Sequence, residues 1–237
     1  MSIAMRATLV AGGLFCCCLA AGAQGAEGKL YTPGPFDKIA IGGAADVKLV
    51  QGSEDQVFIA GDADVQKGVR VSLEDNTLTV QSKEGWKFWT SSRLQISVGA
   101  RKLSGISLAG AAHLHAPGPL AAEKLVVKLA GTGQARLDDV SADSLQFSMA
   151  GAGEAQASGR VRELSLHVAG KGRLQAENLQ CQQANVSISG LGNATLWVQE
   201  ELRIKIAGAG FIDYWGRPTV KPSVAGTSSI KGLGEKR

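Results

Sequence analysis

The chain has 237 residues, of which 31 are Gly and 19% are charged. Gly at nearly twice the usual level disfavours long helices, since each interior Gly costs a helix about 1 kcal/mol relative to Ala. The ordinary apolar share of 44% and only 6 Pro, with no three-residue Gly period, exclude a disordered chain and a collagen. The net charge of +4 is spread along the chain without a basic stripe, so a nucleic-acid partner is not expected.

Arg6 is the only charge before Glu27, and the chain from Ala7 to Ala23 is apolar or small. Ala21-Gly22-Ala23 has the small-x-small form that signal peptidase accepts. A secretory signal peptide over 1–23 is predicted, removed by cleavage, with 24–35 as a leader. A membrane anchor is the alternative, but the stretch is rich in Gly, Ala and Cys and marginal for spanning. A lipoprotein is disfavoured because Phe and Cys precede Cys16, Cys17 and Cys18, where a lipid-modified Cys wants Gly or Ala. Cleavage leaves Cys181 as the only Cys, so no intramolecular disulfide can form. No second long apolar run exists, so no transmembrane segment is expected in the mature chain.

Residues 36–100 are the less regular part of a domain spanning 36–232. Phe36 to Val50 and Val57 to Ala60 read as strands. Val69, Val71 and Leu73 alternate, as do Leu78 and Val80, around Asp75-Asn76, a good two-residue hairpin turn. Trp86, Phe88 and Trp89 follow, flanked by Lys83 and Arg93. Aromatic rings beside polar groups stack on sugars or settle at lipid interfaces, and these three are the candidate ligand contacts. The plainer reading is a cap that packs its rings on the fold.

Residues 101–232 repeat. The corners SLAG, KLAG, SMAG, HVAG, SISG, KIAG and SVAG end on Gly110, Gly131, Gly151, Gly170, Gly190, Gly208 and Gly226. Their spacings run from 18 to 21 residues. A second corner Gly follows at Gly133, Gly153, Gly172, Gly192 and Gly210, and is replaced at Ala112 and Ser228. Period-two alternation around each corner places Leu164, Leu166, Val168, Gly170, Gly172 and Leu174 on one apolar face, and the other units follow suit. Each unit therefore reads as two short strands joined at a Gly-x-Gly bend, where Gly tolerates positive φ and leaves room for a sharp corner. One unit cannot bury its apolar face alone, but neighbouring units together can. The expected fold is all-β: a single-stranded parallel β-helix, or solenoid, right-handed, with about 18–21 residues per turn. A series of hairpins closing as a sandwich or barrel is the rival. Residues 233–237 are a tail.

The run FDKIAIGGAADVKLVQG at Phe36–Gly52, the AGxG corners and the ending Tyr214-x-Gly216-x-Pro218 resemble the putative auto-transporter adhesin head GIN domain family. The resemblance covers Phe36 to Gly232. It implies a secreted or envelope bacterial β-solenoid protein, without a catalytic motif to carry over. The large C-terminal barrel of a true auto-transporter is not expected.

The residues give little chemistry. One outward ladder is His113, Gln134, Glu154, Arg173, Asn193 and Phe211; the other is His115, Arg136, Gln156, Gln175, Thr195 and Asp213. A polysaccharide hydrolase needs two carboxylates within roughly 5–10 Å. Glu154 has no acidic neighbour in either ladder, and Asp138 and Asp139 point apart if extended. His113 and His115 share a strand face, but zinc needs three or four ligands and no third presents itself. Cys181 reads as a buried thiol. The corners lack the Lys-Ser/Thr and helix of a phosphate loop. No catalytic residue, metal or cofactor is expected. The reading is a non-catalytic exported protein of the periplasm or cell envelope. A wall of Gln146, Ser148, Gln175, Asn185, Ser187 and Thr195 would bind a glycan or a cell-surface protein. The alternatives are a polysaccharide-acting envelope enzyme and a purely structural scaffold.

Overall fold

The computed structural model describes residues 28–61, 67–82 and 93–236. The signal and residues 24–27 of the leader, like Trp86, Phe88 and Trp89, lie outside the described residues. In chain order the strands are β1 (Gly28–Tyr31), β2 (Lys38–Gly43), β3 (Ala45–Gln51), β4 (Gln56–Ala60), β5 (Val69–Glu74) and β6 (Thr77–Ser82). They continue as β7 (Leu94–Ala100), β8 (Gly105–Gly110), β9 (His113–Gly131), β10 (Gln134–Trp215) and β11 (Thr219–Gly234).

Alternation makes these segments strands. In β7, Leu94, Ile96, Val98 and Ala100 are buried while Gln95 and Ser97 face out. The same parity buries Leu125, Val127, Leu129, Ala135 and Leu137 around the Gly131 corner. Burying each large aliphatic side chain contributes about 1.5–3 kcal/mol, so one continuous apolar core holds the two arms together. No charged or polar residue is buried in it among the described residues.

The two glycines of a corner meet different needs. The first of each, from Gly110 to Gly226, has φ between +100° and +135°. At Gly170 (φ +118°) a Cβ would also fall 2.5 Å from the Gly151 carbonyl oxygen, so neighbouring corners lie directly against one another. Gly172 has an ordinary φ, but a Cβ there would meet Val168 Cγ1 at 2.8 Å and Met149 Sδ at 3.1 Å. Conformation selects the first glycine and space selects the second.

The expected single-stranded parallel β-helix is not what forms. The sheet is an open, curled half-barrel whose nine-strand path, β1-β4-β7-β3-β9-β8-β2-β6-β5, mixes parallel and antiparallel pairs. β1 with β4, β4 with β7, and β5 with β6 are antiparallel. The expected right-handed coil of uniform turns falls with that finding. The physical reason lies in the N-terminal third. Asp75 (φ 47°) and Asn76 (φ 58°) form the tight turn that reverses the chain between β5 and β6. That hairpin closes one end of the sheet with antiparallel neighbours, and β4, set antiparallel between β1 and β7, does so at the other.

Two arms meet in this sheet. β9 belongs to both: its start pairs with β3, and its end pairs with β8. β10 pairs in parallel with β9, and β11 with β10. The register also shows a corner not recognised as part of the series. Gly43 (φ 110°) pairs with Gly110, and Asp46 with His113, although β2 and β8 are far apart in sequence. At the other end Lys236 fastens the tail. It donates to the Glu177 carbonyl and to Asn178 Oδ1 (2.7 Å), and its ammonium sits 5.1 Å from the Trp197 ring centroid.

Candidate functional site

On the arm that follows the corners, outward side chains form two parallel columns. Register fixes their first members: Gln95, Asp46, His113 and Gln134 in one, Ser97, Lys48, His115 and Arg136 in the other. The Glu154 amide donates to the Gly133 carbonyl (3.0 Å) and carries the columns onward to Glu154 and Gln156. An open groove of about 580 Å³ runs over these residues as far as Gln175, with Phe58 of β4 on its opposite rim. A second groove of about 310 Å³ shares Gln175 and continues past Asn193 and Thr195 to Phe211 and Asp213.

The two expected ladders thus lie side by side on one wall. Asp46 and Lys48 precede them, and the sequence reading missed both. A signal for them was present: Gly43-Ala44-Ala45 matches Gly110-Ala111-Ala112. The expected polar wall of six residues is divided. Gln175 and Thr195 follow their corners and lie in these grooves. Gln146 and Ser148 pair with the end of β9, before the corner, on the other arm. Asn185 and Ser187 likewise precede theirs.

Most charges on the wall are neutralised in place. Arg93 Nε donates to Asp46 Oδ1 (2.7 Å), and its Nη2 reaches the carbonyls of Ala45 (3.1 Å) and Ala111 (2.7 Å). One guanidinium therefore staples β3 to the chain just before β9. Gln95 Nε2 donates to Asp46 Oδ2 (2.9 Å), and His113 Nδ1 lies 3.4 Å from Asp46 Oδ1. Asp138 sits where the β9–β10 register shifts, between Leu137 and Asp139. That irregularity turns its carboxylate onto His115 Nε2 (2.8 Å) and Arg136 Nε (2.7 Å). The hydrogen bond from His115, aided by Arg136, holds the Asp138 carboxyl below its ordinary pKa, against a smaller opposing effect of burial. Glu154 faces Arg173 at 3.8 Å.

No group of three or more His, Cys, Asp or Glu is placed to hold a metal ion among the described residues. His113 and His115 each face a different carboxylate. Cys181 is buried, its Sγ directed at the Trp197 carbonyl (3.2 Å), and burial pushes its pKa up to about 12. It is an inert thiol at neutral pH.

The family model described as "Putative auto-transporter adhesin, head GIN domain" matches residues 35–218, and the chain belongs to that family. A search of curated proteins gives no match. Among solved structures, one described as a putative adhesin from Bacteroides fragilis is 24% identical with a TM-score of 0.81, covering 89% of this chain and 98% of its own. One described as a putative lipid binding protein from Parabacteroides distasonis is 22% identical with a TM-score of 0.71, covering 87% and 96%. A putative adhesin from Parabacteroides merdae is 20% identical with a TM-score of 0.62, covering 87% and 95%. At these identities the likeness establishes the shared fold. No helix among the described residues is long and apolar enough to cross a membrane.

Proposed function

We propose that this chain is a non-catalytic binding protein of the bacterial periplasm or cell envelope, exported by cleavage after Ala23, that engages surface molecules through its polar wall. The observation that carries the reading is the pairing of the acidic groups in the wall's main groove, Asp46 and Glu154, and of Asp138 beside it, which contacts the lining residues His115 and Arg136. Asp46, Asp138 and Glu154 each face an arginine, at 2.7, 2.7 and 3.8 Å. A glycosidase acid needs a raised pKa, and Asp138 is shifted the other way. Membership of an adhesin-named family supports the same reading.

The competing reading, an envelope enzyme acting on polysaccharide, makes a different prediction. Chain beginning at Gln24 is incubated with envelope polysaccharides and with whole bacterial cells, and reducing ends and bound protein are measured. Retention on cells or glycans without release of reducing ends supports binding. Steady release of reducing ends that survives further purification overturns it. Mass measurement of the exported chain checks the cleavage site.

A further inference from the structure

We propose that the two-column wall is a binding site for a linear, uncharged polysaccharide that lies across the strands, from the Phe58 end to the Phe211 end. This rests on the non-catalytic binding reading above and gives it a site and a ligand class.

The length comes from the register. Strands in a sheet are about 4.8 Å apart, so the wall from β4 to the Phe211 tier extends for roughly 40 Å. The two grooves share Gln175, which makes the path continuous. A path this long and open suits a polymer rather than a small molecule, which favours an enclosed pocket that covers most of its surface.

The chemistry comes from the side chains. Gln134, Gln156, Gln175 and Asn193 line successive tiers, and each amide both donates and accepts. A hydroxyl has the same dual character, so a hydroxyl-rich chain can exchange hydrogen bonds at tier after tier. A pyranose advances a glycan by a length similar to one tier. Phe58 and Phe211 stand at the two ends. Phe211 is 55% exposed, an unusual state for so large an apolar ring. A flat apolar ring at the end of a row of amides fits the apolar face of a sugar.

Neutrality of the ligand follows from the electrostatics. Asp46, Asp138 and Glu154 are matched by Arg93, Arg136 and Arg173. Lys48 and Asp213, for which no ion pair occurs among the described residues, cancel in sign. The wall therefore offers no net field to attract a polyanion or a polycation, and its paired ions still accept or donate at their free atoms.

The experiment uses the chain from Gln24 to its end. Probes are hexasaccharides of linear β-glucan, mannan and xylan, with a polyuronate of equal length as the charged comparison. Affinity is measured for the wild type, for Gln134→Ala/Gln156→Ala/Gln175→Ala, and for Phe211→Ala alone, with melting curves to check the fold of each. These side chains lie outside the core, and Phe211→Ala stays informative if the triple variant unfolds. The expected result is binding of at least one neutral hexasaccharide, insensitive to salt. It weakens at least tenfold in the triple variant and about fivefold in Phe211→Ala. Neutral binding that neither variant changes overturns the assigned site while leaving the binding reading intact. Salt-sensitive preference for the polyuronate overturns the ligand class. Retention on whole cells with no hexasaccharide bound overturns this proposal alone. Failure to bind cells as well as sugars sinks both proposals.

Discussion

The N-terminal and C-terminal regions solve one packing problem with different bends of the chain. Both bury alternate side chains in a shared core. From Lys38 to Ala100 the strands are 5–7 residues long, and two antiparallel pairs join four of them. From Gly105 onward, pairing is parallel, and the strands run on through corners whose glycines touch. Reversal by Asp75-Asn76 uses two side chains that tolerate the left-handed region. The bend at Gly170 uses a backbone that leaves no space for any side chain. The difference teaches that the C-terminal corners are constrained by their neighbours, whereas the hairpin is constrained only by its own geometry.

Substitutions can break that contrast. The largest effect is expected in the core under the corners. Ile188, 2% exposed, should cost about 2–5 kcal/mol when cut to Ala, measured by denaturant unfolding. Gly170→Ala comes next, at about 1–3 kcal/mol for backbone strain before its clash with the Gly151 carbonyl is counted. Asn76→Ala in the hairpin should cost about 1 kcal/mol, and Asn76→Gly almost nothing. If Gly170→Ala proves no worse than Asn76→Ala, the corners are not constrained by one another.

Smaller effects sharpen the picture. Asp138 owes its lowered pKa chiefly to His115, so His115→Ala should raise the Asp138 carboxyl toward its ordinary value in an NMR titration. Because the folded pKa is depressed, the stability from this bridge is present above the unfolded value and lost as acid brings the pH down through the folded value. A surface pair of this kind contributes about 0–1 kcal/mol. Gln175→Ala should change stability by under about 0.5 kcal/mol, since its side chain leaves the core untouched. Cys181 should resist a maleimide at pH 8 in the folded protein and react once unfolded.

Much of this was readable before the structure, for physical reasons. Alternation reports which side of a strand meets the core, so the buried face around each corner could be read directly from Leu164 to Leu174. The parallel order of the C-terminal units was also implied by their near-constant spacing. What misled was the extension of that spacing to the whole chain. Asp75-Asn76 reads as a hairpin turn and breaks the coil at β5–β6, while the antiparallel pairs of β4 with β1 and β7 join strands distant in sequence and leave no local signal. Asp46 and Lys48 were missed because their corner, Gly43, breaks the spacing. Arg93 was noticed only as a flank to the aromatic segment. Its part in the site depends on three chain segments meeting, which no local pattern reveals. Asp138 required the register shift after Leu137, a feature of pairing rather than of sequence.

The pairing of Gly43 with Gly110 carries a consequence for the order of folding. Successive corners after Gly110 are 18–21 residues apart, but this first pair closes a loop about three times as long. By the logarithmic dependence of closure entropy on length, that costs about 1 kcal/mol more than a neighbouring pair. Local contacts form first when closure is the dominant barrier. The strands from β9 to β11 should therefore condense as a nucleus, with β2 and β3 docking late. A chain emerging from its N-terminus can pair β2 with β6 and β3 with β7, but the opposite edges of β2 and β3 stay open until β8 and β9 have followed, a window in which an edge-binding chaperone could act.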